Sequence, residues 1–271
     1  MEELGMKHML RAGLLLLALA GPAAAQTETV VEVESRGQQV RALLLMPAGA
    51  PVGSVILLAG GHGKLDIGSD GQIGWGRGNQ LVRTRAAYAR AGFATLVPDI
   101  ALDLKTAGGV VQGYRSAAPH GRDLGALVQR MRQVKAPVVV VATSRGAPSA
   151  GAMLRHASAG AVPDALVMTA AMLVPTGDNQ PNFQNAIGGD PTRASLPLLV
   201  VGHRKDACRY TLPATIDQFR AWHGGKVDVI LLDGPDGSGD PCEAQSAHGF
   251  IGLDGAVVAA VTGWIGRLPS R

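Results

Sequence analysis

Val138-Val139-Val140-Val141-Ala142 followed by Thr143-Ser144-Arg145-Gly146 is the stretch that decides how this chain is read. Pro137 opens a continuous apolar strand of the kind buried on both faces of a parallel sheet. A tight turn of small residues with Ser144 at its centre follows, and then a helix, Ser149 to His156. Outward from this unit the same alternation repeats. Upstream lie the strands Ser54 to Ala59 and Phe93 to Val97, with helices over Leu81 to Ala91 and Arg122 to Val134. Downstream come strands over Asp164 to Thr169, Leu196 to Val201 and Val227 to Leu232, with helices over Thr215 to Trp222 and Ala256 to Ile265. Two shorter strands, Thr29 to Glu34 and Val40 to Met46, form a hairpin about Arg36-Gly37. Strands alternating with helices argue an α/β class with a mostly parallel sheet covered on both faces. No internal repeat, low-complexity linker or charge block marks a second domain.

Composition agrees. The 271 residues are 46% hydrophobic and 17% charged, which excludes a disordered chain. Only 4% are aromatic and the formal net charge is +4, so neither base-stacking platforms nor a dense basic face for nucleic acid is supported. At the N-terminus Lys7 and Arg11 precede the apolar run Ala12 to Ala20. Gly21-Pro22 break it, and Ala23-Ala24-Ala25 follows. A basic segment, a short apolar segment and a small-residue site predict a secretory signal peptide over residues 1–25. The run is too short to serve as a stable membrane anchor. The expected organisation is therefore a signal over 1–25 and one α/β domain over 26–271. Export to an oxidising space makes Cys208 and Cys242 candidates for a disulfide.

In open parallel sheets the reactive groups gather at the carboxyl ends of the strands. The central strand delivers Ser144 there, in the strand–turn–helix setting that exposes a nucleophilic hydroxyl. The strand Leu196 to Val201 delivers Gly202-His203-Arg204-Lys205-Asp206. The last strand is followed by a loop carrying Ser246-Ala247-His248-Gly249. In the order Ser, Asp, His, each after a strand end, the chain resembles the α/β-hydrolase superfamily, and most of all its small secreted esterase and dienelactone-hydrolase-like members. The resemblance covers essentially the whole segment after the signal. Ala142 departs from it, standing where the turn usually has its first glycine.

The resemblance implies an α/β-hydrolase fold without a large cap domain, and Ala170 to Ser195, short and rich in Gly, Pro, Asn and Asp, reads as a loop lining an open pocket with a short turn at Asn182–Ile187. It implies a serine hydrolase cleaving carboxylic esters through an acyl-enzyme. Ser144 would be the nucleophile, His248 its base and Asp206 the group that orients the imidazole. The backbone N–H of Arg145 would be one oxyanion donor. The second would come from Gly60-Gly61-His62-Gly63, through Gly61 or His62. In that fold the loops of Cys208 and Cys242 converge at the site, so a bridge would tie the acid loop to the histidine loop.

Other readings stand beside these. A Ser after a strand also serves as a helix N-cap. Asp206 has Arg204, Lys205 and Arg209 as surface partners, and Asp233 and Asp236 compete for its role. His120, His156, His203 and His223 read as helix-surface or capping residues. The Gly60–Gly63 stretch matches neither a phosphate-binding loop nor a dinucleotide-binding turn. No cofactor and no catalytic metal are expected, because no His, Cys or carboxylate cluster has ligand spacing. The same triad serves acyl transfer or amide hydrolysis, and the fold also carries catalytically silent binding proteins. The expected partner is a small or polymeric ester, with no nucleic acid.

Overall fold

The hairpin that opens the described chain shows how local sequence sets the sheet edge. A computed structural model describes residues 26–225 and 227–269; the predicted signal, residues 1–25, lies outside them. Strands β1 (Thr27–Ser35) and β2 (Gln38–Met46) pair antiparallel down to Ser35 and Gln38. Arg36 and Gly37 between them have φ of 56° and 72°, the two-residue turn whose twist matches that of the strands. The left-handed backbone is unfavourable for arginine, and the side chain holds it. Its guanidinium forks onto Asp123 at 2.8 and 2.7 Å and also reaches Asp103.

Beyond the hairpin come β3 (Gly53–Leu58), α1 (Gln80–Arg90), β4 (Phe93–Pro98), α2 (Ala118–Val134), β5 (Val138–Thr143) and α3 (Gly146–His156). Then follow β6 (Ala165–Thr169), a single turn α4 (Phe183–Ala186), β7 (Leu198–His203), α5 (Ala214–His223), β8 (Asp228–Leu232) and α6 (Asp254–Ile265). The eight strands stand in the order β1-β2-β4-β3-β5-β6-β7-β8. Only β2 runs against its neighbours; the others are parallel.

The apolar runs are explained by two covered faces. Along β5, Val138, Val140 and Ala142 enter the core under α2, α3 and α5, with Leu127, Met131, Met153 and Phe219. Val139 and Val141 point to the opposite face, under α1 and α6, with Leu81, Tyr88, Val257 and Val261. Strands β3 and β7 divide their side chains the same way. Successive strand residues alternate in direction, so a strand covered on both faces needs no polar position. Every residue of β3 through β7 is buried.

Two helices begin about a turn earlier than the sequence pattern indicates. Helix α2 starts at Ala118 and not near Arg122, and α3 starts at Gly146 and not at Ser149. Pro119 and Pro148 lie in those first turns, where a proline's missing N–H costs nothing. Two histidines expected on surfaces are instead buried, His120 in the first turn of α2 and His203 at the end of β7. His203 is the last strand residue, its Nδ1 accepting from the Lys205 N–H at 3.0 Å.

His120 packs edge-on to Tyr114 and its Nε2 lies 3.0 Å from Ser149 Oγ. Burial, with help from the Arg115 and Arg36 charges, pushes its pKa down to about 3. The unfolded chain therefore binds a proton near pH 6.5 that the folded chain refuses. Stability from this group is fully present above that pH and is lost as pH falls. Between pH 7 and 5 the loss is expected to be about 2 kcal/mol, read by denaturant unfolding. A His120→Gln variant should show a flatter profile over this range; an equally steep one would contradict the assignment.

Candidate active site

Ser144 sits at the hinge between β5 and α3 with φ of 51°, a left-handed conformation that a serine adopts only under constraint. The constraint comes from the sheet centre. Its N–H donates to the Thr169 carbonyl on β6 at 3.2 Å, and its own carbonyl accepts from Ala147 and Met172. Behind it α3 comes so near β3 that a Cβ on Gly146 would lie 2.5 Å from the Leu58 carbonyl oxygen. A Cβ on Gly60 would lie 3.0 Å from the Ser144 Cβ. Ala142 is accommodated because its methyl packs into the core under α2 and α3. Ser144 does not cap α3; the residue before that helix is Arg145, and no side-chain oxygen caps it.

The hydroxyl faces His248. His248 Nε2 lies 3.0 Å from Ser144 Oγ, and its Nδ1 lies 3.1 Å from Asp206 Oδ2. Both His248 and Asp206 are buried, about 5% and 4% exposed, so their contact is shielded from water. Asp206 follows β7 directly, and its other oxygen accepts the Cys208 N–H at 2.9 Å. His248 rides on a short turn, Ala247–Gly249, whose first amide bond is set by Ser246.

Thr211 was not singled out by the sequence. Its hydroxyl donates to Asp206 Oδ2 at 2.8 Å and lies 2.9 Å from His248 Nδ1. With the hydroxyl proton on Asp206, its lone pair faces an Nδ1–H, and this network assigns the proton of neutral His248 to Nδ1. Nε2 is then free to accept from Ser144. The rival acids do not approach: Asp233 is exposed, and Asp236 pairs with Lys205 on the surface.

Three ties hold the histidine loop. Cys208 and Cys242 are bonded, Cα atoms 4.6 Å apart, joining the loop after β7 to the loop before His248. Arg83 on α1 donates to the carbonyls of Gly78, Ala244 and Gly249 and forks onto Asp254. Ser246 Oγ donates to Pro241 and Glu243 carbonyls.

Ser144 and His248 open into a cleft of about 520 Å³. Gly61, His62, Trp75, Arg77, Arg145 and Met172 line it, together with Tyr210 and the disulfide. Trp75 and Arg77, on the loop between β3 and α1, thus supply a wall, with the Trp75 ring tilted by 34° against His62 at 3.7 Å between centroids. All of Ala170–Val174 is buried, and of the Ala170–Ser195 segment only Met172 lines the cleft, so the segment does not form the pocket wall the sequence suggests. The amides of Gly61, His62 and Arg145 donate to no acceptor among the described residues. No group of three or more His, Cys, Asp or Glu among the described residues is arranged to hold a metal ion.

No protein-family model matches the chain, and no curated protein matches it in sequence. Solved structures do. A dienelactone hydrolase from Anabaena variabilis ATCC 29413 is 16% identical with a TM-score of 0.62, over 90% of this chain and 99% of that one. Est1E from Butyrivibrio proteoclasticus is 14% identical with a TM-score of 0.57, over 88% and 97%. XC6422 from Xanthomonas campestris, described as an a/b serine hydrolase without lid, is 14% identical with a TM-score of 0.57, over 93% and 100%. At these identities the likeness is one of architecture, and the architecture is the α/β-hydrolase fold.

A Cys208→Ala/Cys242→Ala variant opens a loop with a sequence separation of 34. It should lose about 3–4 kcal/mol of stability on the chain-entropy model, read by denaturant unfolding. Because the bridge joins the Asp206 and His248 loops, turnover should also fall at temperatures where the variant stays folded. Full turnover in the folded variant would show that the bridge stabilises without ordering the site.

Proposed function

We propose that residues 26–271 form one domain that is an exported serine hydrolase, cleaving carboxylic esters through an acyl-enzyme. The observation that carries the reading is the chain of hydrogen bonds from Ser144 Oγ through His248 to Asp206. Ser144 Oγ attacks the ester carbonyl while its proton passes to His248 Nε2. Asp206 and Thr211 hold the imidazole by Nδ1, and the Asp206 charge stabilises the imidazolium. The carbonyl oxygen, now negative, takes N–H donors from Arg145 and from Gly61 or His62, each contributing about 3–4 kcal/mol to the transition state. His248 returns the proton to the departing alcohol. It then takes one from water, which attacks the acyl-enzyme, and returns that proton to Ser144 Oγ as the serine leaves and the acid is released.

Three features support the reading. The Arg145, Gly61 and His62 amides have no internal acceptor to compete with an oxyanion. The structural neighbour named dienelactone hydrolase carries an ester-cleaving name. Export is supported by the predicted signal peptide together with the disulfide, a bond of oxidising compartments. No helix among the described residues is long and apolar enough to cross a membrane. With only Ala170–Pro197 between β6 and β7 and no long helix in it, the cleft suits short-acyl or polymeric esters more than long lipids.

The test is hydrolysis of p-nitrophenyl esters of rising acyl length. The wild type should turn over the acetate, with activity falling as the chain grows. Ser144→Ala should reduce kcat at least about 10³-fold, and Asp206→Asn by a comparable factor, with both variants folded. An active Ser144→Ala variant would overturn the reading.

A further inference from the structure

Arg115 is buried, about 7% exposed, and among the described residues it has no carboxylate partner in an ion pair. A buried cation without a counter-ion is costly, and an apolar side chain of similar size fills such a site more cheaply. Most of its hydrogen bonds go to one short loop. One Nη2 donates to three successive carbonyls, Ala59 at 2.9 Å, Gly60 at 3.1 Å and Gly61 at 3.1 Å. The neighbouring Tyr114 hydroxyl donates to the next carbonyl, that of His62, at 2.6 Å. Two side chains on one turn, Tyr114–Ser116, thus gather four consecutive carbonyls.

The peptide plane turns this into a statement about amides. In a trans peptide the C=O and the following N–H point in opposite directions. The Gly60 carbonyl shares its plane with the Gly61 N–H, and the Gly61 carbonyl shares its plane with the His62 N–H. Drawing those oxygens toward Arg115 aims these N–H groups away from it. Gly61 and His62 line the cleft with Ser144, and neither amide has an internal acceptor. The approach is close enough that a Cβ on Gly63 would lie 2.4 Å from Arg115 Nη2 and 2.5 Å from the Tyr114 oxygen.

The guanidinium is itself fixed. Its Nη1 donates to Ser149 Oγ at 2.8 Å, on α3 one turn beyond Ser144. That leaves the Ser149 proton for His120 Nε2 at 3.0 Å, which requires the neutral imidazole that burial enforces. The loop is thereby referenced to the helix that carries Ser144.

We propose that Arg115, with Tyr114, is a positioning residue that sets the Gly60–Gly63 carbonyls so that the Gly61 and His62 amides are presented to the oxyanion formed at Ser144. The proposal rests on the ester-hydrolase reading of the cleft. Arg115 touches no substrate and acts through the loop. Lysine cannot replace its planar, multiply donating end.

The experiment compares the wild type with Arg115→Met, Arg115→Lys and Tyr114→Phe, using p-nitrophenyl acetate kinetics and amide hydrogen exchange over residues 59–64. Arg115→Met should lower kcat about 100-fold with KM changed by less than about twofold, the scale of a displaced oxyanion donor. The pH midpoint of kcat/KM, set by the triad, should not move. Arg115→Lys should fall between the two. Exchange at the Lys64 N–H, held by His62 Nδ1 at 3.2 Å, should quicken while β3 and α3 stay protected. Should Arg115→Met not fold, Tyr114→Phe, which removes one bond, should show a several-fold loss of kcat and the same local quickening. Unchanged kcat in a folded Arg115→Met, a loss confined to KM, a shifted pH midpoint or unchanged loop exchange would each overturn the proposal. A wild type that hydrolyses no ester would instead sink the functional reading, and the exchange comparison would still decide whether Arg115 holds the loop.

Discussion

A serine held in a left-handed backbone conformation is the constraint on which the rest of this structure depends. At φ of 51° Ser144 carries a cost of about 1–3 kcal/mol, and nothing local to the turn repays it. The compensation lies in the sheet centre. Strand β6 takes the Ser144 N–H, α3 and the loop after β6 return N–H groups to the Ser144 carbonyl, and β3 lies against Gly146. Three adjacent parallel strands and one helix N-terminus are therefore needed to hold one side chain upright. The uniformly apolar character of β3, β5 and β6 follows, because strands that central are covered on both faces.

Around that fixed point the other groups are brought in on loops, and loops need ties. The acid comes directly off β7, and its bond to the Cys208 N–H makes the first bridge residue part of the acid's own turn. The histidine comes from much further along the chain. It is held by the disulfide, by the Ser246 turn and by Arg83 reaching across from α1 to the Ala244 and Gly249 carbonyls. The loop after β3 is gathered from below by Arg115 and Tyr114. Each tie draws on a different part of the fold, and none enters the cleft to obstruct it apart from the bridge itself, which forms part of the wall.

This division explains what could be read from the chain alone. The order of strands and helices was legible because a two-faced core writes itself as apolar runs, and the residues after each run named Ser144, Asp206 and His248. Helix starts were less legible: Gly146, Pro119 and Pro148 read as turn residues, yet a first helical turn accepts them. Thr211 and Arg115 were invisible for a different reason. Thr211 is an ordinary polar residue in a short loop, and Arg115 sits in Gly113-Tyr114-Arg115-Ser116 just before α2, with no periodicity around it. Their roles come from contacts at sequence separations of 37 and 54 to 56, which no local pattern carries. The burial of His120 is of the same kind, since its partner Ser149 lies on another helix.

The central claim is that the strain and hydrogen bonding at Ser144 make its hydroxyl a nucleophile. The most direct measurement is labelling of the folded protein with a fluorophosphonate, followed by mass spectrometry of the digested chain. The account predicts one adduct per chain, on the peptide containing Ser144, and none on the folded Ser144→Ala variant. A folded wild type that takes up no label, or takes it up on another residue, would contradict it.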